Sequence, residues 1–258
     1  MERMPALFVG HGSPRNIGLK NSYTNSLKSL GKTLPHPEVI LVVSAHWLTQ
    51  GTFVTGAARP ETIYDFYGFP REFYSARYSC PGSLEWAEKI CDHAGSDSVA
   101  VDPSRGIDHA AWAVLIHMYP NADIPVLEMS LDYRKPAAWH YDFAQHLSVL
   151  REEGLLIVGS GNIVHNLQVI DFENIDATPY EWAIEFDQWV KNKLETGDDR
   201  ALIDYEGISR AARLAVPTNE HYLPLLYTVG IRNKKDTLKF THEGIQNASI
   251  SMRGILFQ

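Results

Sequence analysis

A chain of 258 residues is long enough for one large hydrophobic core or two small ones, and 45% hydrophobic with 21% charged residues is the composition of an ordinary globular protein. A net charge of -8 with no basic run excludes general nucleic-acid binding, which needs clustered Lys and Arg against phosphate. Two cysteines, Cys80 and Cys91, are too few for a disulfide scaffold, the first apolar run breaks at Gly10, and no stretch approaches the roughly 20 apolar residues of a membrane span, so a cytoplasmic protein with free thiols is expected.

Ala6 to Gly10 reads as one buried strand that stops at a histidine between two glycines, Gly10-His11-Gly12-Ser13-Pro14. An irregular stretch leads into an amphipathic helix from Leu19 to Leu30, ended by Gly31 and Pro35. Val39 to Ala45 is a second buried strand ending at His46, followed by a short one over Thr52 to Gly56. From Arg59 to Gly82, three prolines and seven Phe or Tyr residues show neither periodicity. Such a long aromatic loop either packs as a second small core or folds over a site. Ser83 caps a helix reaching about Ala94, Ser98 to Val101 can be a strand, Pro103 to His109 is a loop, and Ala110 to Met118 is a helix stopped by Pro120. Ile124 to Leu131 reads as a strand, and Pro136 opens a helix to about Leu150. The third apolar strand, Leu155 to Ser160, is followed shortly by His165. Helices are expected over Tyr180 to Leu194, Ala201 to Tyr205, Ser209 to Leu214 and His221 to Thr228, the last capped by Pro217-Thr218-Asn219-Glu220, with two strands between Thr237 and Phe257. The alternation predicts a single α/β domain over residues 1–258, with a central, mostly parallel mixed sheet flanked by helices. Ligands of such sheets sit outside the carboxyl ends of the strands.

Of eleven histidines, His36, His93, His140, His146 and His242 lie in polar or helical-face contexts and read as surface or satisfied structural residues, and His117 as packed within its helix. His11, His46, His109, His165 and His221 lie at strand ends, in a loop or at a helix start, where function usually sits. Singly each reads as structural; together they leave a single metal site open, with no fixed spacing to decide it. Other chemistries lack their motifs: no nucleophile elbow, no H-E-x-x-H, no phosphate loop and no complete dinucleotide fingerprint are present, and no adjacent carboxylate pair suggests glycosidase chemistry.

Six motifs occur in order: Gly10-His11-Gly12-Ser13-Pro14, Ser44-Ala45-His46-Trp47, Asp65-Phe66-Tyr67-Gly68-Phe69-Pro70, Asp108-His109-Ala110-Ala111-Trp112, Ser160-Gly161-Asn162-Ile163-Val164-His165-Asn166 and Glu220-His221-Tyr222-Leu223-Pro224-Leu225. Through them nearly the whole chain resembles the class III extradiol ring-cleaving dioxygenases, in particular the 4,5-DOPA extradiol dioxygenase-like group. The resemblance implies one divalent metal per chain, Fe(II) for activity, held by His11, His46 and His221, with Glu220 as the alternative to His221; because four imidazoles also suit zinc, Zn(II) is expected in place of Fe(II) in protein isolated aerobically. It implies His165 as the acid/base residue and a resting-state fourth ligand, and His109 as a second pocket histidine on the substrate. The implied substrates are a catechol such as DOPA and O2, giving a muconic semialdehyde. The aromatic loop then becomes a pocket wall or lid, with Trp47 and Tyr222, beside the proposed ligands, packing against the ring. Arg15, Arg105 and Arg213 lie near the motifs and read as surface residues. A zinc hydrolase and a non-catalytic metal-binding protein on the same scaffold are the competing readings.

Overall fold

In the computed structural model, which describes residues 2–95 and 98–258, the chain builds one eight-stranded sheet between two layers of helices. Four central strands run parallel and side by side: β5 (Val126–Asp132), β2 (Val39–Thr49), β6 (Leu155–Gly161) and β1 (Ala6–Gly10). Beyond β5 lie β3 (Thr52–Thr55), antiparallel to it, and β4 (Val99–Asp102); beyond β1 lie β10 (Gly254–Phe257) and β7 (Leu238–His242), both antiparallel to their neighbours. The mostly parallel mixed sheet expected from the strand–helix alternation is therefore present.

The central strands are apolar on both faces because both are covered. Leu7, Val9, Ile40, Val42, Leu156 and Val158 meet α1 (Ser22–Thr33) and α3 (His109–Met118). Their alternates Ala6, Phe8, Leu41, Val43, Leu155 and Ile157 meet α2 (Leu84–Ala94), α4 (Ala137–Gln145), α5 (Glu181–Thr196), α6 (Asp199–Ile203), α7 (Arg210–Ala215) and α8 (Leu223–Gly230). The period of two along each strand thus divides one hydrophobic run between two cores.

Several boundaries differ from the expectation. β2 does not stop before His46 but runs on to Thr49. Its pairing with β5 jumps from Val43↔Met129 to Leu48↔Leu131, so Ser44 to Trp47 lie opposite Ser130 alone. His46 therefore sits in a bulge, a device that bends a strand and re-aims its side chains. The helix expected up to Leu150 ends at Gln145, and a 3-10 turn, Ser148–Glu153, follows and closes on Gly154 in the left-handed region. The buried Leu147 and Leu150 direct this change of path toward β6. α8 begins at Leu223 rather than at His221, because the Asn219 carbonyl accepts from the N–H groups of Tyr222 and Leu223 and the His221 carbonyl accepts from Asn162. The C-terminal region holds four strands where two were expected. The additional pair, β8 (Ile245–Gln246) and β9 (Ile250–Ser251), has two residues per strand, too short to show any periodicity. Among the described residues no helix is long and apolar enough to cross a membrane.

Candidate metal centre

The carboxyl ends of β1, β2 and β6 meet at one edge of the sheet, and the candidate histidines converge there. His11 follows β1, held by its own N–H to the Gly161 carbonyl at 3.0 Å and by the Tyr23 hydroxyl, which donates to its carbonyl at 3.3 Å. His46 projects from the bulge of β2, where its N–H donates to Ser44 Oγ at 3.0 Å. The Ser44 hydroxyl in turn donates to Asp108, which caps α3 through the Ala110 N–H and so places His109 at the first position of that helix. His165 lies in the turn after β6, bridged to Ile250 of β9. His221 lies just before α8, close against β6: a Cβ on Gly161 would come within 2.2 Å of the His221 carbonyl oxygen. Glycine is required there by this close approach of two backbones.

The ring nitrogens are arranged by hydrogen bonds that fix their tautomers. Ser160 Oγ uses its proton on the Ala110 carbonyl at 2.6 Å, so at 3.1 Å it accepts from His11 Nδ1. Asp65 accepts from His46 Nδ1 at 2.8 Å and from His109 Nδ1 at 2.8 Å, and Glu220 accepts from His221 Nδ1 at 3.0 Å. A carboxylate can only accept, so each of these imidazoles carries a proton on Nδ1, and in its neutral, metal-binding form it has its lone pair on Nε2. The Nε2 atoms of His11 and His46 are 3.1 Å apart, and those of His46 and His221 are 3.3 Å apart. Lone pairs facing one another at these distances repel unless positive charge lies among them. Two imidazole nitrogens on one tetrahedral ion, each at about 2.0–2.1 Å, are separated by about 3.3 Å. The donor set therefore fits a nitrogen-loving divalent metal, each ligand oriented through its other ring nitrogen as such sites require.

The titration behaviour of the cluster agrees. Burial, followed by the neighbouring imidazoles, lowers His11 and His221 well below the usual histidine range, and it takes His165 down to about 3. His109 is also lowered, by burial and then His46, against the pull of Asp65. His46 alone of the five moves up: burial lowers it, but the Asp65 hydrogen bond and the charges of Asp108, Asp65 and Glu220 outweigh that. Asp65 is held far below the ordinary carboxylate range, burial being overcome by the His109 and His46 hydrogen bonds. Four imidazoles held in their neutral form, with the carboxylates Asp65 and Glu220 behind the cluster and favouring charge at His46, make a place that accepts positive charge.

Beside the cluster is a cavity of about 260 Å³, at the small end for ligand sites and suited to one ring with a short tail. His11, His46, His109 and His165 line it, with Phe66, Tyr67 and Phe69 from the aromatic loop on one side and Leu167, Ile170, Phe172 and Ile250 on the other. Larger surface hollows of about 690 and 730 Å³ contain no histidine in their walls. The His165 ring stacks on that of His221 with centroids 3.5 Å apart and planes 8° apart.

The structure thus brings all five candidate histidines to one place, and the aromatic loop supplies a cavity wall. Trp47 and Tyr222, expected to touch the substrate, do not line the cavity. Strand alternation turns Trp47 away from His46; it is 6% exposed and lies under the Arg105 guanidinium, 4.5 Å from the ring centroid. Tyr222 is fully buried in the core, donating to the Leu202 carbonyl and packed 4.1 Å from the Tyr205 ring. Glu220 stands behind His221, where its Oε1 also accepts from Thr218. Sequence reasoning missed Asp65 and Ser160 as the groups that orient the imidazoles. Asp65 carries a readable signal as a carboxylate set directly between Tyr64 and Phe66 in its loop, whereas Ser160 carries none. The three arginines near the motifs separate: Arg105 pairs with Asp108 at 3.0 Å, Arg213 lines a different hollow, and Arg15 lines the cavity.

The chain is similar to known proteins over nearly its whole length. A family profile described as "Catalytic LigB subunit of aromatic ring-opening dioxygenase" matches residues 5–257. A protein of Escherichia coli K12 described as "4,5-DOPA dioxygenase extradiol" is 45% identical over 260 residues, covering 98% of this chain and 94% of that protein. One of the same description from Beta vulgaris is 36% identical over 242 residues, covering 91% and 89%. A crystal structure of an uncharacterized protein from Escherichia coli K12 superposes with a TM-score of 0.87 at 41% identity, covering 99% of this chain and all of that one.

Proposed function

This chain belongs to the class III extradiol, aromatic ring-opening dioxygenases, and on that premise we propose that it opens the ring of a catechol such as DOPA with O2, giving a muconic semialdehyde, on one metal ion held by His11, His46 and His221. The observation that carries the reading is the convergence of three Nδ1-protonated imidazoles whose Nε2 atoms lie 3.1 and 3.3 Å apart beside a cavity walled by aromatic side chains. Fe(II) in this site supplies the redox chemistry that lets ground-state O2 react with a ring, and Zn(II) fits the same nitrogen donors in protein isolated aerobically.

The remaining work falls to the chain's own residues. Phe66, Phe69, Ile170 and Ile250 hold a flat ring and keep water from it. His165 is neutral near pH 7, since burial and the nearby His46 and His109 take it down to about 3, and its imidazole receives the proton of a catechol hydroxyl and returns it later in the cycle. His109, fixed by Asp65 through both its ring and its backbone N–H, keeps its Nε2 as a hydrogen-bond acceptor for a substrate hydroxyl. Asp65 ties this pocket histidine to the ligand His46, so a single carboxylate sets the relative placement of substrate and metal sites. Preorganisation of this kind removes the entropic cost of bringing the partners together.

Anaerobic loading with Fe(II), followed by a panel of DOPA, caffeate, protocatechuate and homoprotocatechuate under O2, tests the proposal. A yellow ring-fission product with matched O2 consumption is expected from at least one of them. No product and no O2 uptake across the panel would refute it and leave the zinc hydrolase as the next reading to assay.

A further inference from the structure

The cavity joins two kinds of chemistry: imidazoles at its base and carbon along its walls. At its mouth stands one positive charge. Arg15, half-buried, lines the cavity and donates from its guanidinium to the Phe172 carbonyl at 2.6 Å, and Phe172 is itself 57% exposed. Among the described residues Arg15 takes part in no ion pair, although the chain carries 31 Asp and Glu. The lining carboxylate, Asp65, is spent on His46 and His109. One backbone carbonyl occupies only part of a guanidinium's five N–H donors, and that fork matches a carboxylate in two-point geometry. A lone arginine beside exposed apolar side chains, anchored on one side and open on the other, has the character of a recognition group rather than a structural ion pair.

We propose that Arg15 binds a carboxylate on the side chain of the ring substrate, so that this protein selects catechols with an acidic tail over those with a neutral or purely cationic one. The inference deepens the ring-opening reading and rests on it for turnover, but binding tests it independently. Arg15 is a specificity residue; the reacting atoms are left to the histidines.

The decisive comparison is between 3-(3,4-dihydroxyphenyl)propionate and its amide, titrated by calorimetry into zinc-loaded protein. The acid is expected to bind at least tenfold more tightly than the amide to the unaltered protein, and the two are expected to bind alike to R15Q, with R15K in between. Equal binding of acid and amide to the unaltered protein overturns the inference, whatever its activity. The kinetic arm sets L-DOPA against dopamine, which lacks only the carboxylate, on the Fe(II) enzyme. R15Q is expected to lower kcat/KM for L-DOPA at least ten times more than for dopamine, chiefly through KM; an equal loss on both overturns the inference. If no catechol turns over while the acid still binds preferentially, ring opening fails and the role of Arg15 stands.

Discussion

Replacing Asp65 by Asn tests how the site is organised, because the substitution keeps shape and removes only charge and acceptor capacity. Oδ2 accepts from His46 Nδ1 and His109 Nδ1 at 2.8 Å each, while Oδ1 accepts from the His109 backbone N–H at 3.0 Å. An amide cannot satisfy both ends. With its oxygen at the Oδ2 position, its NH2 faces the His109 N–H; with its oxygen at the Oδ1 position, its NH2 faces the Nδ1–H of His46. One donor is left without an acceptor, or His46 shifts its proton to Nε2 and loses the lone pair that faces His11. Loss of such an orienting partner costs about 10–100-fold in metal affinity, equivalent to about 1.4–2.8 kcal/mol. Competition of Asp65→Asn and unaltered protein against a chromogenic chelator for Zn(II) measures this directly. Asp65 is also held well below its ordinary pKa, so its stabilising contribution is present above the unfolded aspartate value of about 3.9 and is lost as pH falls through its folded value. The stability gap between the two proteins should therefore be widest near neutrality and close as pH falls below about 4. Metal affinity within twofold of the unaltered protein, with an unchanged gap across that range, would refute the orienting role of Asp65.

The acid/base assignment predicts that His165→Ala retains metal through the other three histidines while kcat falls by about 10²–10⁴; retained turnover contradicts it. Glu128, fully buried on β5, is pushed well above the usual glutamate range, first by burial and then by Asp108, against the opposing Arg105. A raised acid contributes stability that is present below its unfolded value of about 4.3 and is lost as pH rises through the folded value, so Glu128→Gln should match the unaltered protein at pH 4 and exceed it at pH 8 in denaturant melts. A loss of about 3–5 kcal/mol at pH 8 would show an ionised Glu128 paired with Arg105 instead. Gly161→Ala places a methyl 2.2 Å from the His221 carbonyl oxygen, which should cost about 1–3 kcal/mol of stability and weaken metal binding together, as thermal melts with and without Zn(II) would show. Melts identical to those of the unaltered protein would mean that the His221 backbone yields freely.

Local physics made much of this protein legible from its residue order. The apolar runs at Ala6, Val39 and Leu155 are strands because nothing else buries so short a run on both faces, and they fall within a residue or two of β1, β2 and β6 at their start. The Ser83 cap and the Pro136 entry mark α2 and α4 through the chemistry of a single turn. The histidines could be nominated because each sits where an element ends. Their partnership could not be read in the same way. His46 Nε2 comes within 3.3 Å of His221 Nε2 across 175 positions of chain, through a bulge in β2 and a turn shaped by Asn162 and Asn219, neither of which has a periodic signature. Which neighbour of a ligand faces the cavity was likewise decided by tertiary structure: alternation sends Trp47 beneath Arg105, and core packing takes Tyr222. Arg15 looks like any surface arginine until the fold brings Phe172 beside it. Residue types and strand ends are local properties, so the order of residues determines them. The tautomers, the acceptor behind each imidazole and the charge at the cavity mouth depend on contacts between distant segments, and those exist only once the chain has folded.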